Sequence, residues 1–381
     1  MFCDVNNLNS VPADIKAKIY TVPDLFPVPV RMCRLKRIFE PGILLLDLKV
    51  DFQVYIMKQR IVTGLILIVL ATLWLMSSPV GLFLHGLIFI VFIGAFEYSQ
   101  FFIKNRVNDE RFLSSPREYI ELNGTMDLLK RLVYALVMVL ACLLSHSLIN
   151  DSSGLDSVFL EDRNVHLIFS KNGHVGLQLI FVCSALWWLL AAFLVFTYPR
   201  SAGLAGSSVF KSVGGFFYFV PFFLATYILR CQSFGTDSQI GTVSILSVMV
   251  LVWAADSGAY FVGKACGKHK MSPHVSPNKT FEGLAGGVVL ALVIFAVLAC
   301  FGCYGNAFQN CWPALTVAAV VTVIFSVIGD LWESLLKRDS GIKDSGFIFP
   351  GHGGMLDRID SLMAALPVFL ITFAVMFKIL G

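Results

Sequence analysis

The stretch "PALTVAAVVTVIFSVIGD", residues 313–330, carries no charged residue until it ends at Asp330. A helix needs about 20 consecutive apolar residues to cross the hydrocarbon core of a bilayer, and this run has nearly that length. Its apolar residues do not alternate with polar ones, as they would in a strand of an outer-membrane barrel. The stretch therefore predicts a transmembrane helix that ends in a carboxylate at one membrane face.

Similar apolar runs recur along the chain. Of its 381 residues, 57% are hydrophobic and only 14% are charged, whereas soluble domains carry about 25% charged residues. No block of like charge suggests nucleic-acid binding. We predict an all-α, polytopic integral membrane protein with about nine transmembrane helices. The predicted spans cover residues 61–78, 80–97, 132–149, 175–198, 213–229, 240–262, 284–301, 313–330 and 361–380.

Basic residues are unequally divided between the two ends of these spans. If the segment before the first span is cytoplasmic, eighteen Lys and Arg residues from Lys58 onward flank the cytoplasmic side. Only Arg163, Lys171, Arg230 and Lys378 flank the other side. Because basic loops stay in the cytoplasm, residues 263–283 and 331–358 are predicted to face it. We expect a multi-pass protein of the bacterial inner membrane with this basic side in the cytoplasm.

The first 56 residues differ from the rest of the chain. They mix Pro, Asp and short basic patches, and they lack the architecture of a signal peptide. The segment "MKQRIVTGLILIVL", residues 57–70, resembles a natural beginning, because a Met and two positive charges precede a span. We predict an N-terminal extension over 1–56, poorly ordered or non-essential, and a membrane-embedded domain over 57–381. Whether the native protein contains residues 1–56 is left open.

Nine Cys residues are scattered through the chain, mostly inside apolar runs. Packing is the simplest role for a small apolar side chain at such positions. Three of them, Cys300, Cys303 and Cys311, cluster near one loop. They could pair if that loop faces an oxidising compartment.

Polar residues collect in three clusters at the predicted cytoplasmic span ends. In the first, "WAADSGAYFVGKACGKHK" (253–270), Asp256 lies within an apolar run. A carboxylate there is costly and usually serves an ion, a partner or a substrate, although it could also cap a helix or pair with a nearby Lys. We predict that Asp256 binds substrate.

The second cluster is "SPHVSPNKTFEG", residues 272–283. Ser276, Lys279 and Thr280 precede the next span, so hydroxyls, a cation and the N–H groups of a helix N-terminus could bind a phosphate. The G-x-x-x-x-G-K spacing of a P-loop is missing. A solvated basic loop is the alternative.

The third cluster is "GDLWESLLKRDSGIKDSGFIFPGHGGMLDRID", residues 329–360. If the eighth span continues as a helix, Asp330, Glu333 and Lys337 lie on one face. Carboxylates that alternate with cations suit a site that binds both Mg²⁺ and a polyphosphate. Surface ion pairs are the alternative, and Asp360 could pair with Arg358. The site residues predicted in this cluster are Asp330, Ser334, Lys337, Arg338, Lys343, Asp344, His352, Gly353, Gly354, Asp357, Arg358 and Asp360.

The stretch "SLLKRDSGIKDSGFIFPGHGGMLDRID", 334–360, resembles the hallmark motif of the phosphatidate cytidylyltransferases, or CDP-diacylglycerol synthases. It has the family's Ser, Lys-Arg, Lys-Asp, Pro, His-Gly-Gly and Asp-Arg-x-Asp at their usual spacing. "WAADSGAYFVGK" and "SPNKTFEG" are similar to two other polar blocks of the family, in the same order. The resemblance extends from Met57 to the C-terminus.

The resemblance implies that CTP and phosphatidic acid react to give CDP-diacylglycerol and pyrophosphate, with Mg²⁺. The family's metal-binding aspartates match Asp330 and Asp357, arranged around a two-metal centre that would hold a second cation. Lys337, Arg338 and Lys343 are candidates for phosphate contacts. Ser276, Lys279 and Thr280 are candidates for the CTP end. The role of His352, either to orient a carboxylate or phosphate or to act as a base, is left open.

Two other functions compete with this expectation. A related enzyme could use the same nucleotide site with another lipid phosphate, such as a polyprenol phosphate. A transporter could use Asp256 and Asp330 in an ion path, but it would then carry charges along several spans near the midplane. Here the charges collect at one end of the spans. The sequence leaves the acyl-chain preference and the oligomeric state, including a homodimer, open.

Overall fold

The computed structural model describes residues 63–103, 116–150, 175–231, 240–346, 348–349 and 353–380. The predicted extension over 1–56 and His352 lie outside the described residues, and so does the side chain of Cys311. Cys300 and Cys303 are both free thiols. No disulfide therefore joins these two cysteines to each other.

Helices make up nearly all of the described chain, and a single short hairpin interrupts them. The hairpin consists of strands β1 (Lys270–Ser272) and β2 (Ser276–Thr280), which pair in antiparallel orientation. The helices are α1 (Thr63–Ser77), α2 (Val80–Tyr98), α3 (Pro116–Asn150), α4 (Val175–Thr197), α5 (Ala202–Ala205), α6 (Ser208–Cys231), α7 (Ile240–Cys266), α8 (Phe281–Cys300), α9 (Gly305–Ser340) and α10 (Leu356–Leu380). A 3₁₀ turn, Ser99–Phe101, follows α2.

Eight of these helices are long and apolar enough to cross a membrane, which confirms the all-α polytopic prediction. The predicted span at 61–78 is the exception. Within the described residues it forms the shorter apolar helix α1, whose 15 residues reach about 22 Å, less than the thickness of a hydrocarbon core. The count of nine spans is therefore not confirmed.

The centre of the bundle is α6, which contacts α2, α3, α4, α7 and α10. Its side chains Tyr218, Phe219 and Phe223 are fully buried. At the periphery, large apolar side chains such as Leu144 on α3 and Val289 on α8 are exposed. An outward-facing apolar surface is what a protein surrounded by lipid requires.

Two helix boundaries position the polar residues of the third cluster. Helix α9 continues past the predicted end at 330 to Ser340, so Asp330 and Lys337 lie on one helix. It ends at Gly341, whose φ of 72° is left-handed, and the N–H of Ile342 donates to the carbonyl of Lys337 at 3.0 Å. Glycine is the usual residue at such a helix end because it lacks a Cβ. Helix α10 begins at Leu356, earlier than predicted.

Candidate active site

A lysine–aspartate contact joins the β1–β2 hairpin to α9. Lys279 Nζ lies 2.5 Å from Asp330 Oδ2. Their side chains are 24% and 30% exposed, so solvent reaches both partners. Ser334, one turn further along α9, donates from Oγ to Asp330 Oδ1 at 3.3 Å. Lys279 and Asp330, which are 51 residues apart in sequence, therefore form one partly open polar site.

A second lysine–aspartate contact joins α9 to α10. Lys337 Nζ lies 2.8 Å from Asp357 Oδ1 and 2.9 Å from Glu333 Oε2. The side chains of Glu333 and Asp357 are 0% and 5% exposed, and that of Lys337 is 15% exposed. One buried lysine thus balances a carboxylate on each helix. Its contact with Glu333 agrees with the prediction that Asp330, Glu333 and Lys337 lie on one face of α9.

The segment between α9 and α10, residues 341–355, is called the glycine loop below. Asp357 links the two ends of this loop, because its Oδ2 accepts the N–H of Gly354 at 2.7 Å and that of Ser345 at 2.9 Å. Gly353 has a φ of +80°, and a Cβ there would run into the Asp357 carboxylate. Glycine at 353 therefore permits both the left-handed backbone and the close approach of Asp357.

Two further carboxylates lie close to these contacts. Asp256 on α7 interacts electrostatically with Lys279 and Asp330. Asp360 on α10 does so with Asp330 and Lys337. The three sequence clusters, whose residues span more than a hundred positions, thus meet at the same end of α7, α9 and α10. The carboxylates that share this site are Asp256, Asp330, Glu333, Asp357 and Asp360.

This convergence agrees with a match to a known family. The sequence profile of the Cytidylyltransferase family matches residues 58–376, which is most of the chain. The chain belongs to this family.

Several cytidylyltransferases are similar in sequence to this chain. A phosphatidate cytidylyltransferase of Haemophilus influenzae is 43% identical over 194 residues, 51% of this chain and 67% of that protein. One of Pseudomonas aeruginosa is 43% identical over 190 residues, 50% of this chain and 67% of that protein. One of Bacillus subtilis is 42% identical over 147 residues, 38% of this chain and 53% of that protein. The aligned regions thus cover about half to two thirds of these relatives.

The structure of this cytidylyltransferase brings most of the predicted site residues together. Arg338 points to the hairpin, where Nε donates to the Val275 carbonyl at 3.4 Å. Thr280 is buried and caps α8, because its Oγ1 accepts the N–H of Gly283 at 3.1 Å. Lys343, Asp344 and Arg358 are exposed at the edge of the site, and Ser276 is half-buried at the start of β2. The residues in direct contact at its centre are Lys279, Asp330, Ser334, Lys337 and Asp357.

The alternative pairing of Asp360 with Arg358 is wrong for the described residues, none of which forms an ion pair with Arg358. Both residues lie on α10, two positions apart. Side chains at i and i+2 point to different sides of a helix, so Arg358 is exposed while Asp360 turns toward α9.

Sequence reasoning missed two carboxylates that organise the loops of the site. Glu282, in the first turn of α8, accepts the N–H groups of Lys268 and His269 at 3.1 and 3.2 Å. Glu97, near the end of α2, is buried and accepts the N–H groups of Met355, the last residue of the glycine loop, and of Leu356, the first residue of α10. Glu97 could have been found, because it is the only Asp, Glu, Lys or Arg between residues 80 and 101. The cost of a charge in an apolar run, which identified Asp256, applies equally to Glu97.

Proposed function

We propose that this cytidylyltransferase transfers the cytidylyl group of CTP to phosphatidic acid, giving CDP-diacylglycerol and pyrophosphate for phospholipid synthesis. The observation that carries the proposal is the meeting of two lysine–aspartate contacts, with Asp256 of the first polar cluster beside them, at one end of the spanning helices. The names of the relatives and the 334–360 motif support the same substrates.

In this reaction a phosphate oxygen of phosphatidic acid attacks the α-phosphorus of CTP. The bond from the α-phosphorus to the oxygen that bridges it to the β-phosphorus breaks, and pyrophosphate leaves with that oxygen. The protein contributes mainly positioning and charge neutralisation. Lys279 is suited to the triphosphate because it is partly exposed on the hairpin and can exchange Asp330 for a phosphate oxygen. Arg338 points to the same hairpin.

The donor set of the site fits Mg²⁺. Five carboxyl groups lie around two lysines, so oxygen ligands remain for a cation that would screen these groups from a triphosphate. Among the described residues no three His, Cys, Asp or Glu side chains are grouped as metal ligands. Mg²⁺ requires fewer, because it usually binds one or two carboxylates together with waters and substrate phosphates. Asp330 and Asp357 would hold it, and it would neutralise charge that develops on the phosphates. A second cation is part of the same proposal.

The position of the site suits one lipid substrate and one soluble substrate. The lipid chains would stay in the bilayer beside the helices, while the headgroup meets CTP at the ends of α7, α9 and α10. We propose that the helices cross the inner membrane of a bacterium and that this end of them faces the cytoplasm. The support is the excess of Lys and Arg on this side, which is eighteen against four if residues 61–78 cross the membrane and sixteen against six if they do not.

The test is pyrophosphate release by the purified, detergent-solubilised protein with CTP and a panel of lipid phosphates. We expect release with phosphatidic acid and none with CTP alone. Release with a polyprenol phosphate but not with phosphatidic acid would favour the related enzyme. No release with any lipid phosphate would overturn the proposal. Light scattering of the same sample would test the homodimer, which stays a prediction.

A further inference from the structure

Glu97 lies at the C-terminal end of α2, far in sequence from the polar clusters, yet it contacts the glycine loop. Its side chain is buried, with 5% of the residue exposed. Among the described residues no Lys, Arg or His forms an ion pair with it. Its carboxyl group instead accepts the N–H of Leu356 at 2.8 Å and that of Met355 at 3.1 Å. These N–H groups belong to the N-terminus of α10, where no intrahelical acceptor is available.

The same carboxyl group also reaches the other end of the loop. Ser345 Oγ donates to Glu97 Oε2 at 3.4 Å. Ser345 lies on the part of the loop that leaves α9, and Met355 lies on the part that enters α10. Gln100, one turn after Glu97, donates from Nε2 to the Ser345 carbonyl at 2.5 Å. The end of α2 therefore holds both ends of the glycine loop together.

Two glycines of the loop are explained by this contact. A Cβ at Gly354 would lie 2.5 Å from both carboxyl oxygens of Glu97, and a Cβ at Gly346 would collide with its Oε1. Real Cβ atoms do not approach other atoms so closely. Because Gly346 and Gly354 have no side chain, they leave room for the buried Glu97 carboxyl group.

The residues that Glu97 holds are also those that hold Asp357. Ser345 and Gly354 donate their N–H groups to Asp357 Oδ2. The N–H of Asp357 in turn donates to Ser345 Oγ at 3.2 Å. Asp357 Oδ1 then contacts Lys337. An unbroken series of hydrogen bonds therefore leads from Glu97 through Ser345 to the Asp357 carboxylate and Lys337.

We propose that Glu97 is a positioning residue for cytidylyl transfer. It fixes the glycine loop in the geometry that presents Asp357 and Lys337 to the substrates, and it touches no reacting atom itself. This inference rests on the proposed function for its effect on rate, but its effect on the loop is independent of any substrate.

The test compares Glu97→Gln with the unsubstituted protein in two measurements. Gln keeps the length of the side chain, but it offers one acceptor oxygen and turns N–H donors toward the loop N–H groups. We expect kcat to fall by about 10²-fold, the scale of a 1 Å misplacement of reacting groups, with little change in the KM for CTP. We also expect faster hydrogen–deuterium exchange at Met355 and Leu356, measured without substrate.

Glu282→Gln is the matched control, because Glu282 also accepts backbone N–H groups of a connecting segment, namely those of Lys268 and His269 just before β1. It should leave exchange at Met355 and Leu356 unchanged.

A second pair of variants tests the close contact between Gly354 and the Glu97 carboxyl group. Gly354→Ala should disturb the loop, and adding Glu97→Asp, which shortens the side chain, should cost little more, because the two changes act on one contact.

Unchanged exchange at Met355 and Leu356 in Glu97→Gln would overturn the inference. An equal loss of exchange protection throughout α2, α6 and the loop would also overturn it, because Glu97 would then only stabilise the bundle. If the unsubstituted protein shows no lipid-dependent use of CTP, the proposed function fails, while the exchange measurement still decides whether Glu97 positions the loop.

Discussion

The site contains two lysine–aspartate contacts that are chemically alike but differ in their surroundings. Lys279 and Asp330 connect a two-stranded hairpin to α9, and both side chains remain partly exposed. Lys337 and Asp357 connect two packed helices, and Asp357 is almost fully buried with both oxygens occupied by donors. We propose that the first contact exchanges partners when a substrate binds, because solvent reaches both of its side chains. The second is held in place, so it is suited to keeping the geometry of the site.

The anchoring of the two loops differs in the same way. Glu282 orders the hairpin, but its partners Lys268 and His269 are exposed and lie within the same short segment. The glycine loop is held from outside by α2. Next to it, Lys211 of α6 contacts Asp339 at 2.5 Å, with 3% and 18% of their side chains exposed. Substitutions that break the buried ion pairs on the glycine-loop side should therefore affect stability and rate together, whereas those on the hairpin side should affect substrate use alone.

The largest effect should come from Lys337→Met, which would leave the buried Glu333 and Asp357 without their cation. Breaking a buried ion pair by removing one partner typically costs about 3–5 kcal/mol. We expect loss of activity and a strongly lowered melting temperature in detergent. Lys130→Met is the control, since Lys130 forms an exposed pair with Asp127, and such pairs contribute about 0–1 kcal/mol. Equal melting temperatures for the two variants would contradict the distinction between the buried and the exposed contact.

The next largest effect is expected for Asp357→Asn, which keeps the shape of the side chain but removes the charge that faces Lys337. The rate should fall at least ~10²-fold, the scale of losing a preorganised electrostatic contact. Combining it with Asp330→Asn should be far less than multiplicative, because groups that act as one unit are not additive. Initial rates at saturating CTP measure both effects. A fully multiplicative double variant would show that the two aspartates act independently.

A smaller effect should follow from Lys279→Ala on the partly exposed hairpin side of the site. We expect the KM for CTP to rise about tenfold, the size of one lost charge-assisted hydrogen bond, and to rise more than the KM for phosphatidic acid. Lys264→Ala is a suitable control, because Lys264 is exposed nearby and lies 5.7 Å from the Tyr260 ring. An unchanged dependence on CTP in Lys279→Ala would remove the hairpin from the nucleotide site.

The smallest effect should come from a chain that begins at Met57. Because residues 1–56 are predicted to be a non-essential extension, insertion into the membrane and activity should be retained. Quantitative immunoblotting of membranes and a lipid-dependent activity assay measure both. Loss of activity at normal membrane levels would show that residues 1–56 take part in function.

The features that were predictable from the sequence are those that depend on length and composition. Apolar runs near 20 residues identified the spans, and the one-sided distribution of charge placed Asp256, Lys279 and Asp330 at one end. The spacing of Asp330, Glu333 and Lys337 predicted a shared helix face, which the continuation of α9 to Ser340 confirms.

Contacts between distant parts of the chain were not predictable. The hydrogen bonds from Met355 and Leu356 to Glu97 bridge about 260 positions. Their donors are backbone N–H groups, which nearly every residue carries, so no pattern of side chains in the sequence predicts them. The role of Thr280 as a helix cap depends on where α8 begins, which Pro277 alone does not determine. The lysine partners of Asp330 and Asp357 depend on how the hairpin and α10 pack against α9.

Asp330 is proposed as the exchangeable carboxylate of the site, so its substitution is the most direct test. The direct measurement is the rate of CDP-diacylglycerol formation against Mg²⁺ concentration for the unsubstituted protein, Asp330→Asn and Asp360→Asn. We expect Asp330→Asn to remain folded but to lose at least ~10²-fold in rate, even at saturating Mg²⁺, whereas Asp360→Asn should be affected less. Near-normal activity and metal dependence in Asp330→Asn would contradict the two-aspartate centre and make Asp256 the next candidate.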